Sequence, residues 1–412
     1  MTLFRTRVMF AIPSLSRGGA GGGQGGPEGV FATLLREIDT DRFEPLLVVH
    51  DAQRSNLIDI VADRARVISL AGPSGSLHPH SRLLERYPVL DLVKVVRASR
   101  PHIVLSTLRM NATVALAKPL LPRATRFVAR VENNMSGHLE TQRTTSTGPK
   151  VALIERLQSL TLRSADQVIA QSPAMRDDLR GRFGHKVGAK TVTLPNPVDI
   201  AGLQARARMT PSVPLPSRGT PQLVSVGRLH RQKGYDLLLP AFQQLLQRWP
   251  KAGLWLIGEG PDRAKLETQA VELGLQERIQ FLGFISDPAP HVRAADVYVC
   301  SSRYEGFSNA MAEALALGTP AVASAGPAGG DDLITADCGI VVPSLTAANL
   351  ADGMDAALRR EFDPAAISAS CQRRFSASSV TRRYESLLDA VAGMVVPAQP
   401  IDENEETPCQ GH

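Results

Sequence analysis

Glu305 and Glu313 lie eight positions apart in the run Ser301-Ser302-Arg303-Tyr304-Glu305-Gly306-Phe307-Ser308-Asn309-Ala310-Met311-Ala312-Glu313. Two carboxylates can accept hydrogen bonds from one ligand's hydroxyl groups, provided they converge. On a single helix this step leaves them roughly 80° apart around the axis, at about 100° per residue. They converge more easily if Glu305 sits in a loop and Glu313 about one turn into a helix. The flanking residues predict that arrangement. Asp296-Val297-Tyr298-Val299-Cys300 reads as a buried strand, and residues 309–317 read as a helix, with Ser308 as N-cap and Gly318 as stop. Gly306, Phe307, Ser308 and Asn309 then aim backbone N–H groups, and the positive end of a helix, at whatever the glutamates hold. The result is an anion site beside two hydroxyl acceptors, which suits the phosphates and sugar hydroxyls of a nucleotide sugar.

The segment Val224-Ser225-Val226-Gly227-Arg228-Leu229-His230-Arg231-Gln232-Lys233-Gly234-Tyr235-Asp236 repeats the plan. A short apolar strand runs into a basic loop punctuated by Gly227 and Gly234, then into a helix carrying Leu237, Leu238, Phe242 and Leu245. Arg228 and Lys233 are phosphate-binding candidates, although two cations after a strand can equally be solvated surface charges. Pro240 near the end of the first turn predicts a bend. Leu254-Trp255-Leu256-Ile257-Gly258-Glu259-Gly260-Pro261 and Ile279-Gln280-Phe281-Leu282-Gly283-Phe284 are further strands that end in glycine turns.

Taken in this order, the segments from 224 to 343 resemble the C-terminal domain of family 4 glycosyltransferases, which are retaining enzymes of GT-B architecture. The resemblance implies an α/β fold of two Rossmann-like domains facing each other across a cleft. It implies that Glu313 accepts hydrogen bonds from the ribose hydroxyls of a nucleotide and that Glu305 contacts the donor sugar near its reacting face. Arg228 and Lys233 would neutralise the diphosphate, so that no divalent metal is required. Gly227, Gly306, Phe307, Ser308 and Asn309 would complete the donor site, and Gly283 and Phe284 would edge the base. Growing charge on a leaving diphosphate is stabilised by fixed cations and a helix N-terminus more than the ground state is. No cofactor is implied beyond the nucleotide sugar itself, which is a co-substrate, a UDP-sugar by the same resemblance.

On the acceptor side the match is looser. The first strand, Arg7 to Pro13, leads into a loop where the family has a compact Gly-Gly-Ala-Glu. Here Gly18-Gly19-Ala20 is followed by a glycine-rich insertion before Glu28. Gly18 and Gly19 are candidates to line the cleft. Arg130-Val131-Glu132-Asn133-Asn134 stands where the family often has an Arg-x-His-Asn-like run, without the histidine. Glu132, Asn133, Asn134 and Arg109 are acceptor-side candidates, against the alternative that they are polar turns at strand ends. The loop 326–332 lacks the family's usual glutamate, and Asp331 or Asp332 is its expected substitute.

Strand and helix alternate throughout, which predicts parallel sheets covered by helices on both faces. Strands are expected at 46–49, 103–106, 126–129 and 167–170, with helices at 30–38, 90–98 and 151–163. The 412 residues suit two domains. These are an N-terminal acceptor-side domain over 1–205 and a donor domain over 221–371. A connector at 206–220 separates them, with four prolines between 210 and 221. A C-terminal helix over 372–395 is expected to cross back onto the first domain, ahead of a disordered acidic tail over 397–412.

A net charge of +6 fits anionic lipid surfaces or phosphorylated ligands, and 5% aromatic residues argue against a nucleic-acid stacking surface. Cys300, Cys338, Cys371 and Cys409 show no CxxC and no metal-ligand spacing, which favours a reducing cytoplasm. No segment approaches ~18 unbroken apolar residues. The expected protein is a cytoplasmic glycosyltransferase, peripheral at most on the inner membrane face, that uses a glycan or lipid-linked acceptor in surface polysaccharide biosynthesis. The alternatives are a non-catalytic nucleotide-sugar-binding subunit and a GT-B nucleotide-sugar epimerase.

Overall fold

The computed structural model describes residues 5–15, 26–52, 55–70, 87–145, 148–211, 213–215 and 220–393. Gly18, Gly19, the glycine-rich insertion and the tail over 397–412 lie outside them.

The N-terminal lobe is a parallel sheet of β1 (Thr6–Ile12), β2 (Phe43–Val49), β3 (Arg66–Ser69), β4 (Ile103–Ser106), β5 (Arg126–Arg130), β6 (Gln167–Ala170) and β7 (Thr191–Thr193). Its strand order is β3-β2-β1-β4-β5-β6-β7. The C-terminal lobe has β8 (Gln222–Val226), β9 (Gly253–Ile257), β10 (Ile279–Gly283), β11 (Val297–Cys300), β12 (Ala321–Ser324) and β13 (Gly339–Val342). These are ordered β10-β9-β8-β11-β12-β13. Sequence reading named no strand at β3, β7, β12 or β13, and β3 and β7 are short edge strands. β3 is half-exposed and β7 has only three residues, so neither leaves a strong apolar run.

The central strands are apolar on both faces because helices cover both sides of each sheet. Val8, Phe10 and Ile12 pack into one layer of the N-terminal lobe, while Met9 and Ala11 pack into the other. The chain order reverses between β1 and β4 and again between β8 and β11. In open parallel sheets, ligands bind at such reversals, beyond the carboxyl ends of the strands. The loops after β8 and β11 carry Arg228, Lys233, Glu305 and Glu313, so the topology alone brings the predicted donor residues to one place.

Pro240 lies inside the helix Tyr235–Leu246. Having no N–H, it leaves the carbonyl of Asp236 without its helical donor, and Gln269 Nε2 supplies one at 3.0 Å.

The C-terminal segment is two helices. Pro364–Phe375 packs on the helix Asn309–Ala316 of the C-terminal lobe. After a break at Ser376, Ala377–Ala392 packs on the helix Pro27–Glu37 of the N-terminal lobe and adds Val380, Tyr384 and Leu388 to its core. The crossing therefore begins at the break, later than the single helix from 372 that the sequence suggested. Ser376 also bridges to Val198, with Val198 N donating to Phe375 O at 2.8 Å and Ala377 N to Val198 O at 2.9 Å.

Candidate active site

A cleft of about 930 Å³ opens between the lobes. The loop after β8 forms one edge. Gly234 has φ +67°, and a Cβ there would stand 1.9 Å from the carbonyl oxygen of Ser301. The glycine lets this loop lie directly on the loop after β11, which places Lys233 against Glu305. Lys233 Nζ pairs with Glu305 Oε1 at 2.6 Å, and Ser302 Oγ donates to the same oxygen at 2.6 Å. Burial works against the Lys233 charge, but Glu305 more than offsets it and holds the ammonium above its ordinary range. The two residues, expected to touch different parts of a donor, are thus partners of each other. A half-buried ammonium and a buried carboxylate side by side satisfy each other's charge. Arg228 is exposed at the cleft edge, and among the described residues it makes no hydrogen bond or ion pair.

Glu313 is the fifth residue of the helix Asn309–Ala316 and lines the same cleft. Burial pushes its carboxyl up to about 7, with Arg206 acting against the rise and Asp287 reinforcing it. Part of its surface stays open to the cleft although protein surrounds the group. Ser308 holds the N-cap position, but its side chain makes no capping bond. Its Oγ instead lies 3.7 Å from Cys300 Sγ, so the helix start offers its backbone N–H groups without side-chain competition. Gly306, Phe307 and Asn309 line the cleft, as does Phe284, which is 53% exposed. Gly283 only turns the chain, at φ +70°.

The N-terminal lobe supplies the opposite wall. Glu132 and Asn133 line it, together with Glu28, a residue to which the sequence had assigned no site role. Glu132 is paired with Arg130 and accepts from Gln171 Nε2 at 3.1 Å. Burial raises its pKa, and Arg130 opposes the rise. Asn134 turns away from the main cleft. Its Oδ1 accepts from Gly137 N at 2.9 Å and caps the start of the helix Met135–Thr145. Arg109 sits at the start of the helix Met110–Ala117, and its carbonyl accepts from Thr113. Leu108, its neighbour, is the residue that reaches the cleft. Asp331 accepts from Gly326 N at 2.9 Å, and Asp332 faces Ser172 of the N-terminal lobe. Neither stands in the cleft wall as the missing glutamate was expected to.

The loop between the two glutamates also joins the lobes. Tyr304 lays its ring on Gly137, where a Cβ would come 2.4 Å from the ring's Cγ, and its hydroxyl meets Thr141 at 2.9 Å. Gly306 lies against the backbone of Glu132, whose carbonyl oxygen would be 2.2 Å from a Cβ at that glycine. Asn309 accepts from Asn196 Nδ2 at 2.8 Å. Sequence reading gave Tyr304 and Asn196 no such role, because spacing along the chain carries no sign of contacts between lobes.

Two family models match the chain: glycosyl transferases group 1 over residues 212–373, and a glycosyl transferase 4-like domain over residues 25–197. The chain belongs to the family 4 type of group 1 glycosyltransferases. One such relative is the lipopolysaccharide core biosynthesis glycosyltransferase LpsD of Rhizobium meliloti, 32% identical over 210 residues that cover 47% of this chain and 57% of LpsD. Another is the phosphatidyl-myo-inositol mannosyltransferase of Mycobacterium tuberculosis, 33% identical over 244 residues, 56% of this chain and 62% of that one. Each match spans less than two thirds of the relative. The GT-B fold is shared with Anabaena Alr3699/HepE in complex with UDP, at TM-score 0.68, 19% identity and 93% and 100% coverage of the two chains. Sucrose-phosphate synthase from Thermosynechococcus elongatus superposes with TM-score 0.70 at 21% identity, covering 95% of this chain and all of that one. The loops that carry Arg228, Lys233, Glu305 and Glu313 lie in the part of the chain matched by the group 1 model.

Proposed function

We propose that this protein transfers a sugar from a nucleoside diphosphate donor to an acceptor hydroxyl, with retention at the anomeric carbon. The observation that carries the reading is the convergence of Lys233, Glu305, Arg228, Glu313 and a helix start on one wall of one cleft. The C1–O bond to the diphosphate breaks and a bond from the acceptor oxygen to C1 forms on the same face. The acceptor proton passes to the departing phosphate oxygen, so the enzyme need supply no strong base. Lys233, Arg228 and the N–H groups at 306–309 stabilise the charge that grows on the diphosphate. Glu313 accepts from the ribose hydroxyls, and the nucleotide sugar acts as co-substrate without a further cofactor.

A UDP-sugar is the proposed donor, supported by the UDP and UDP-glucose complexes of the Anabaena protein of like fold. The proposed acceptor is a glycan or lipid-linked oligosaccharide of surface polysaccharide biosynthesis, supported by what LpsD is named for. Among the described residues no helix is long and apolar enough to cross a membrane. The net charge of +6 supports peripheral contact with the inner face of the cytoplasmic membrane.

The test is a thermal-shift screen against UDP, GDP, ADP and a panel of UDP-sugars, repeated on Arg228→Ala. Because Arg228 is exposed, its loss leaves the fold intact. A ligand that binds only the folded state raises the melting temperature. The expected result is a shift with UDP and one or more UDP-sugars that falls sharply in the variant. No shift from any nucleotide at millimolar concentration refutes the donor site.

A further inference from the structure

Arg130, the last residue of β5, is fully buried, with 0% of its side chain exposed. Desolvating a guanidinium costs several kcal/mol, and an apolar residue of similar volume would fill the space without that cost. What the guanidinium adds is a fixed fork of donors. One arm pairs with Glu132 on the acceptor-side wall. A second donates to Asn196 Oδ1, in the turn after β7. Nε donates to the hydroxyl of Tyr384, on the helix that returns from the C-terminal lobe, at 3.3 Å.

The second arm leads further. A guanidinium only donates, so the oxygen of the Asn196 amide must face it. The amide nitrogen of Asn196 is thereby turned the other way, and it donates to Asn309 Oδ1 at 2.8 Å. That commits the oxygen of Asn309 to the N-terminal lobe and fixes which way round its amide sits. Asn309 is the first residue of the helix that carries Glu313, and it lines the cleft. A single fork therefore orients a side chain on each wall.

We propose that Arg130 is a positioning residue that acts through Asn196 to set Asn309 at the start of the donor helix. The donor end of the helix then takes its working arrangement only when the lobes are docked. This inference rests on reading the cleft as a nucleotide-sugar site.

A double-mutant cycle on UDP affinity, measured by calorimetry with the full chain, tests it. Arg130→Lys keeps the charge and loses the fork. It is expected to weaken UDP binding about tenfold in the wild-type background and to have no further effect in the Asn309→Ala background. A merely structural role lowers stability but gives the same factor in both backgrounds, and that result overturns the proposal. Asn196→Asp guards against misfolding of Arg130→Lys. It keeps an acceptor for Arg130 but sets an acceptor against Asn309 Oδ1. It is expected to weaken UDP binding by a similar factor without lowering the melting temperature, and unchanged affinity counts against the relay. A wild-type protein that binds none of UDP, GDP and ADP overturns the nucleotide reading and the relay with it. A wild type that binds UDP with additive effects overturns the relay alone.

Discussion

Replacing Glu313 with glutamine should remove a pH dependence that burial builds into the fold. Burial raises the Glu313 carboxyl from its ordinary 4.5 to about 7. The folded chain therefore holds this proton more tightly than the unfolded chain. The contribution is fully favourable below the unfolded value, declines as pH rises through the interval, and is lost above the folded value. The gap between the two values, at about 1.4 kcal/mol per unit, corresponds to ~3 kcal/mol. Glutamine matches the protonated carboxyl in size and does not titrate. Thermal melts of wild type and Glu313→Gln across pH 4 to 9 isolate the term, because every other group is common to both. The two should melt together near pH 4. By pH 8 the variant should be the more stable by up to ~3 kcal/mol, on the order of several degrees for a lobe of this size. The same proton opposes ligand binding, since only the ionised carboxylate accepts from two ribose hydroxyls. UDP affinity of the wild type should rise through pH 7, while that of Glu313→Gln stays low and flat. Parallel pH–melting curves for the two proteins would refute the argument at its first step.

Gly137→Ala should disturb the docking of the lobes from outside the cleft, because its Cβ would lie 2.4 Å from Cγ of Tyr304. The ring must move away and release Thr141, an overpacking cost of about 1–3 kcal/mol. Small-angle scattering should show a larger radius of gyration, and Tyr304→Ala in the same chain should bring no further increase. An unchanged radius for Gly137→Ala contradicts the role given to Tyr304. The buried thiols of Cys300, Cys338 and Cys371 should be inert in the native state, burial pushing the Cys371 thiol up to about 12. In a Cys409→Ser background, Ellman's reagent at pH 8 should label nothing until denaturant is added, and rapid native labelling would count against that burial.

The gathering of Arg228, Lys233, Glu305 and Glu313 on one wall of the cleft was legible because its parts are local. Strand, glycine turn and helix start recur within a dozen residues, and each leaves a mark in the sequence, as Gly227-Arg228 and Glu305 to Glu313 do. The parallel pairing of the strands followed from the same alternation of elements, but their order in each sheet did not. What the sequence did not disclose depends on distance along the chain. Asn196 lies far from Asn309, and Arg130 farther still from Tyr384, so no spacing rule joins them. Arg130 left one signal, a charged residue closing the apolar strand Phe127-Val128-Ala129. Ser308 shows the opposite failure. Its type and position both suit a cap, but its hydroxyl turns to Cys300, a preference that only packing decides.

The return of the last helix to the first lobe has a consequence for how the molecule is made. Val380, Tyr384 and Leu388 belong to the core built around β1, and Tyr384 also meets Arg130. Synthesis proceeds from the N-terminus, so a growing chain presents the first sheet long before the helix that seals it exists. The second lobe must be translated in full while that apolar surface waits uncovered. The first half, although synthesised first, is thus the last to be finished, and a polypeptide cut off before Ser376 leaves the ribosome with a gap in the lobe it completed earliest in sequence. In this protein the lobe translated first cannot complete its core until the last helix has been made.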